Sequence, residues 1–181
     1  MLRVARLAAA ALSALALSAC ATSMNVSSYA GHDVDFSRYR TYDWGPADTL
    51  PVGDPRLDKD PFFQDHMLGA VEKQMAAKGY EHAASGQSDL IVHYHAAVNQ
   101  RLDVNRVDTA SGYCAGADCQ RPLEYEAGTL VIDVIDAHTH AVIWRGWAQD
   151  SMEGVIDDRG KLERRINESV TRMLEKLPSR R

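Results

Sequence analysis

The stretch GTLVIDVIDAHTHAVIWRGWA, residues 128–148, decides the fold of this chain. Its first part, Leu130 to Ile135, is rich in the β-branched residues that favour strands, and its second part, Val142 to Trp147, adds aromatic ones. Only the short polar link 137–140 lies between the two parts, which is typical of a β-hairpin. Because the strands of a hairpin are antiparallel, the sheet that contains them must be at least partly antiparallel.

Two amphipathic helices are predicted, one before and one after this hairpin. The first begins at Asp60-Pro61, an N-cap followed by proline in the first turn, and ends at Lys78-Gly79. Its apolar stripe repeats every four residues and consists of Phe63, Met67, Val71 and Met75, with Ala70 beside them. The second helix is capped by Asp157 or Asp158 and stops before Pro178. Its apolar side carries Leu162, Ile166, Val170, Met173, Leu174 and Leu177.

Two further strands complete the predicted fold. The two-residue alternation from Arg38 to Trp44 indicates a strand, and the four prolines within 45–61 predict a loop after it. Alternating apolar residues from Leu90 to Val98 indicate another strand, and residues 99–127 predict a long polar loop. The order β-α-β-β-β-α favours an α+β two-layer sandwich, with a mixed or largely antiparallel sheet and both helices on one face.

The start of the chain predicts an exported, lipid-anchored protein. Residues 1–19 combine a positive end with the apolar run Leu7 to Leu17, whose eleven residues would span only about 16 Å as a helix, too short to cross a bilayer. Cys20 follows Leu17-Ser18-Ala19, which resembles the lipobox of bacterial lipoprotein precursors and makes Cys20 the expected site of lipidation. The small, polar residues 20–33 predict a tether, and 34–178 a single domain. The alternative is an ordinary signal peptide cut elsewhere, with Cys20 incidental.

Lipidation would determine the membrane on which the protein resides and the class of partner available to it. Two or more acyl chains hold a protein firmly on a membrane, and Ala21, where enterobacterial inner-membrane lipoproteins carry Asp, favours the outer membrane with the domain facing the periplasm. The formal net charge is −5, and it becomes −7 (18 basic against 25 acidic residues) once Arg3 and Arg6 leave with residues 1–19. Such a charge argues against a nucleic-acid partner. The anchor, and a small domain whose residues mostly form its own core, favour a protein or another envelope component as the partner.

The two remaining cysteines predict a disulfide. Cys114 and Cys119 are separated by four residues that include Gly116, and the oxidising periplasm favours a bond between nearby thiols. A redox-active pair usually has two intervening residues, and a zinc site needs more ligands than these two cysteines.

His93 and His95 are the candidates for chemistry. Two residues apart on a strand, their imidazoles leave the same face and could share one metal ion. A third ligand could come from His138, His140 or Asp133. The alternative is a pair of hydrogen-bonded histidines on a polar sheet face, with no metal.

The tryptophans suggest a contact surface, not a catalytic site. Trp144 and Trp147 would point to opposite faces of a strand, so one is expected in the core and Trp147, with Arg145, is the candidate contact for a partner. The sequence lacks a Gly-x-Ser-x-Gly elbow and a glycine-rich phosphate loop in its strand-to-helix context. It therefore favours a non-enzymatic role, with no cofactor beyond the covalent lipid or the possible metal ion.

Four segments together resemble a known family across residues 33–178. They are DFSRYRTYDW (35–44), GY (79–80) before SDLIV (88–92), GTLVID (128–133) and VIWRG (142–146). The combination is similar to a family of bacterial envelope lipoproteins known as domain of unknown function 4136. The resemblance implies a lipid-anchored α+β module outside the cytoplasm and carries over no catalytic residues; the Cys114–Cys119 loop is no part of its pattern.

Overall fold

The computed structural model of the chain describes residues 24–45, 54–57, 59–83, 87–103 and 123–180. These residues form one sheet and two α-helices, together with a 3-10 turn at Phe36–Arg38. The strands are β1 (Asn25–Ala30), β2 (Thr41–Trp44), β3 (Glu81–His82), β4 (Leu90–Asp103), β5 (Leu123–Asp136) and β6 (Val142–Ser151). The helices are α1 (Pro61–Ala77) and α2 (Arg159–Leu174).

The sheet is mixed, and the predicted α+β class is confirmed. Its strand order is β1-β6-β5-β4-β2-β3. β2 is parallel to both β3 and β4, because α1 crosses over between β2 and β3, and the other pairs are antiparallel. β5 and β6 form the predicted hairpin, and β4 pairs with β5 on the other side.

Both helices form as predicted, and local capping explains where they begin. The Asp60 carboxylate accepts a hydrogen bond from the Phe62 backbone N–H at 3.2 Å. Asp158, one of the two predicted caps, accepts one from Lys161 N–H at 3.0 Å. The two apolar stripes meet one face of the sheet, where Val92, Ile132 and Trp144 are fully buried. The helices therefore form one layer of the sandwich and the sheet forms the other.

The predicted tether is wrong over Asn25–Ala30, which form the edge strand β1. β1 pairs with β6 over six residues, and Met24 just before it is only 4 % exposed. A strand of small and polar residues has no helical or strong two-residue pattern, so its sequence resembles a linker. Its stability comes from the ladder with β6, which is distant in the chain.

The boundaries of three other predicted elements also need correction. The strand predicted from Arg38 begins at Thr41, because Asp35 caps the preceding 3-10 turn by accepting the Ser37 N–H at 3.0 Å. The predicted loop 99–127 is too long: β4 continues to Asp103 and β5 begins at Leu123, paired throughout. The two-residue strand β3 was not predicted. The polar ends of β4 and β5 form strand because the apolar central parts of the same two strands already hold them in register.

Candidate functional site

The sheet face opposite the helices is the candidate functional surface, and we call it the open face. Neither described helix packs on it. Register places the odd-numbered residues of β1, β4, β5 and β6 there. Among those that carry polar or aromatic groups are Tyr29, His93, His95, Asn99, Thr129, Asp133, Arg145, Trp147 and Gln149. The open face therefore brings together five of the residues that sequence reasoning selected, which are His93, His95, Asp133, Arg145 and Trp147.

An ion pair lies at the centre of the open face. Arg145 and Asp133 are cross-strand neighbours, and two hydrogen bonds join them, Nε to Oδ1 at 2.5 Å and a terminal nitrogen to Oδ2 at 2.6 Å. The bond with Asp133 raises the pKa of Arg145. Asp133 is almost fully buried beneath the guanidinium, whereas the Arg145 side chain is 47 % exposed. This geometry fixes a cation on the surface and leaves part of it available to a partner.

His93 and His95 lie side by side on the open face, as their spacing predicts. His93 Nδ1 is 3.2 Å from His95 Nε2, and the two rings are perpendicular. His95 Nε2 is also 3.9 Å from Asp133 Oδ2, since Asp133 is the cross-strand partner of His93. Among the described residues, His93 Nε2 is buried without a hydrogen-bond partner.

The structure does not complete the metal site that these histidines suggest. His138 and His140 follow Asp136, which pairs with Leu90, so the hairpin link lies about 10 Å along β4 from His93. Asp133 is close but is already bound to Arg145. Within the ranges described above, no group of three or more His, Cys, Asp or Glu side chains could hold a metal ion.

The two tryptophans of β6 separate as predicted. Trp144 is fully buried on the helix side, and its indole lies across Gly146, where an added Cβ would come within 2.3 Å of the ring. Trp147 is half-buried on the open face, in register with Val131 and Ser27. The exposed aromatic that the sequence did not select is Tyr29, which is 59 % exposed in register with Arg145. Tyr29 lies beside Arg145 because β1 pairs with β6, and that pairing was not predicted from the sequence.

A small apolar cavity lies between the sheet and the helices. Its volume is about 60 Å³, and Phe63, Met67, Leu130 and Ile166 are among its walls. An ion pair between Arg165 and Asp150 lies at its margin.

The predicted lipid and disulfide positions, Cys20, Cys114 and Cys119, lie outside the described residues. Neither described helix has the length and hydropathy that a membrane span requires.

These features define a class of protein, a two-layer α+β domain with both helices on one side of a mixed sheet and a polar, aromatic-bearing surface on the other. The chain belongs to the family described as Domain of unknown function (DUF4136), whose family model matches residues 26–179. The family that the sequence motifs suggested is thereby confirmed.

Several solved structures share this fold at low sequence identity. A DUF4136 family protein from Bacteroides thetaiotaomicron is 14% identical with a TM-score of 0.53, over 84% of this chain and 96% of that one. The PelC dodecamer from Paraburkholderia phytofirmans is 13% identical with a TM-score of 0.50, over 87% of this chain and 99% of that one. A PDZ domain protein from Parabacteroides distasonis is 14% identical with a TM-score of 0.53, over 86% of this chain and 36% of that one. These likenesses show the fold alone, and no curated protein matches the sequence.

Proposed function

We propose that this protein is a lipid-anchored, non-enzymatic binding module of the bacterial cell envelope, attached through Cys20 and facing the periplasm from the outer membrane. The open face is the observation that carries the proposal. A sheet with helices on one side only presents a broad, rigid surface on the other, and rigid surfaces lose little conformational entropy when they bind.

The residues of the open face suit a protein partner. The Arg145 side chain is 47 % exposed, and Trp147 is half-buried beside it on the same strand. Aromatic residues and arginine are enriched at protein interfaces and among their energetically dominant residues. Arg145 is already held by Asp133, so its guanidinium would lose little further freedom on binding.

The buried carboxylates Asp54, Asp133 and Asp136 and the half-buried Asp89 favour binding over catalysis, because each is already bound within the domain. Asp54 accepts hydrogen bonds from the Arg56 guanidinium. Asp133 binds Arg145, and Asp136 accepts hydrogen bonds from the hairpin link. Asp89 accepts hydrogen bonds from the backbone N–H groups of Arg40 and Thr41 and joins β2 to β4. A general acid or base needs a free proton site facing a substrate.

Site-specific photocrosslinking in intact cells tests the binding surface. A benzophenone amino acid replaces Asn99, which is exposed on the open face, and a control chain carries it at Glu163, which is exposed on α2 next to His66 of α1. We expect one discrete adduct from position 99 and none from position 163. Trp147→Ala, once shown to be folded by circular dichroism, should weaken the adduct severalfold. Equal adducts from both positions, or an adduct unchanged by Trp147→Ala, would reject the open face as the binding surface.

A second candidate function, metal binding, rests on the adjacent His93 and His95 nitrogens. A metal ion would have to replace the contact between these nitrogens and recruit further ligands. Metal analysis of protein purified without a histidine tag tests this function. Stoichiometric zinc or copper that is lost in His93→Ala would support it, and a metal content unchanged by that substitution would exclude it.

A further inference from the structure

The start of the described chain places β1 very close to the proposed lipid. Only residues 21–23 lie between Cys20 and Met24, which is buried. At no more than about 3.6 Å per residue, the Cys20 Cα must lie within about 14 Å of the Met24 Cα. A tether of fourteen residues, as the sequence suggested, would have allowed the domain to move far from the membrane, whereas this one does not.

Side chains of the C-terminal helical segment hold the beginning of β1 in place. Arg172 donates a hydrogen bond to the Met24 carbonyl at 3.2 Å, and Lys176 donates one to the Val26 carbonyl at 2.8 Å. These carbonyls point away from β6, so the two cations cover the outer edge of the strand. β1 therefore cannot separate from the domain to lengthen the tether without losing these bonds and its ladder.

The composition of this edge is compatible with a lipid surface. Residues 24–31 include no charged side chain, and Tyr29 is the large exposed aromatic among them. The Arg172 side chain is 40% exposed, and Lys176 is exposed, although Glu168 pairs with Arg172 at 3.4 Å. Tyrosine is enriched at membrane interfaces, and cations near an anionic bilayer surface are attracted to its headgroups.

We propose that the edge formed by β1, Arg172 and Lys176 lies against the bilayer surface, with Tyr29 at headgroup level. This inference rests on the proposed lipidation of Cys20. The sheet then stands upright on the membrane with β3, five strand spacings or about 24 Å away, at its distal edge. The open face is left accessible from the side to a periplasmic partner.

Headgroup quenching of a fluorescent label tests the orientation. The lipidated full chain, with Cys114 and Cys119 replaced by serine, carries a single labelled cysteine either at Ala30 in β1 or at Glu81 in β3, both exposed. Vesicles contain phosphatidylethanolamine, phosphatidylglycerol and a nitroxide-headgroup lipid. We expect quenching at position 30 to be at least about threefold that at position 81, because nitroxide quenching is short-ranged compared with the width of the sheet. A ten-residue glycine-serine insertion after Thr22 should bring the two values together.

Three results would overturn the inference. They are equal quenching at the two positions, an unchanged difference after the insertion, and disulfide dimers of the unlabelled protein through position 30, which would assign the edge to a second copy. Intact mass separates this failure from failure of the proposed function. A chain with the mass of its amino acids alone lacks the anchor, whereas a lipidated chain with equal quenching retains the anchor and refutes only the orientation.

Discussion

At the scale of single residues, Asp136 stabilises the hairpin that defines the fold. It is 5 % exposed and accepts hydrogen bonds from the backbone N–H groups of Thr139 and His138 at 2.9 and 2.8 Å. The Tyr39 hydroxyl donates a third bond at 2.8 Å. These bonds, that of Thr139 foremost, lower the pKa of Asp136 to about 2. Each of these bonds stabilises the charged form of the carboxylate. Because Tyr39 lies just before β2, the Asp136 carboxylate also connects the β5–β6 turn to that segment.

We expect Asp136→Asn to lower the free energy of unfolding by about 2 kcal/mol at neutral pH. The folded pKa lies below the unfolded value, so the contribution is complete above about pH 4 and is lost as the pH falls toward 2. Urea unfolding at about pH 7 and pH 2.5 measures it. The difference between the two proteins should shrink at the lower pH, and a constant difference would contradict the assignment.

The ion pair on the open face should respond asymmetrically to removal of its two members. Arg145→Ala leaves the buried Asp133 carboxylate without its main partner and should cost about 3 kcal/mol of stability. Asp133→Asn leaves a guanidinium that is already half in solvent, and should cost about 1 kcal/mol. Urea unfolding of both variants gives the order. A larger loss of stability in Asp133→Asn than in Arg145→Ala would contradict this prediction, because it would mean that the guanidinium is the group that most needs its partner.

The histidines show how far residue-level prediction reaches. The two-residue period of β4 was sufficient to place His93 and His95 on one face. It could not reveal that Asp133 lies opposite His93, because that neighbour is determined by the register between β4 and β5. Tyr29 was missed for the same reason, since its exposure beside Arg145 depends on the pairing of β1 with β6.

At the scale of elements, the helices were predictable because their signals are local. Caps, the apolar repeat and the glycine at φ +88° after α1 all lie within the helix or next to it. β1, β3 and the polar ends of β4 and β5 were not predictable, because each gains its stability from a partner elsewhere in the chain. The helices and the central strands could therefore be predicted from the sequence, whereas the full extent of the sheet could not.

Two glycines in different elements should respond oppositely to alanine. In β6, Gly146→Ala would bring a Cβ within 2.3 Å of the buried Trp144 ring and should cost about 2 kcal/mol. In α1, Gly69 is exposed and nothing beyond its chain neighbours and the backbone of its own helix lies within 4 Å of an added Cβ, so Gly69→Ala should stabilise the protein by about 1 kcal/mol. Thermal unfolding by circular dichroism compares the two variants with the parent. Equal shifts of the same sign would contradict the close approach of Trp144 to β6.

At the scale of the whole molecule, the sheet has unlike faces and unlike edges. One face is buried by α1 and α2, and the other carries the aromatic and polar groups of the open face. One edge is the short β3, and the other is β1, whose outward carbonyls are partly occupied by Arg172 and Lys176. Short and side-chain-covered edges are ways in which proteins prevent sheet-to-sheet aggregation. β1 thus closes the domain as well as linking it to the anchor.

This role makes β1 necessary for a soluble domain, and truncation tests it. A chain that begins at residue 33, where the sequence alone would place the end of the tether, lacks β1 and Met24. It should expose the ladder groups of β6 from Trp144 to Gln149 and aggregate, or lose at least about 3 kcal/mol of stability. A chain that begins at Thr22 keeps the strand and also lacks Cys20, so it is the matched control. Size-exclusion chromatography and urea unfolding compare the two, and a monodisperse shorter chain with an unchanged urea midpoint would show that β1 belongs to the tether after all.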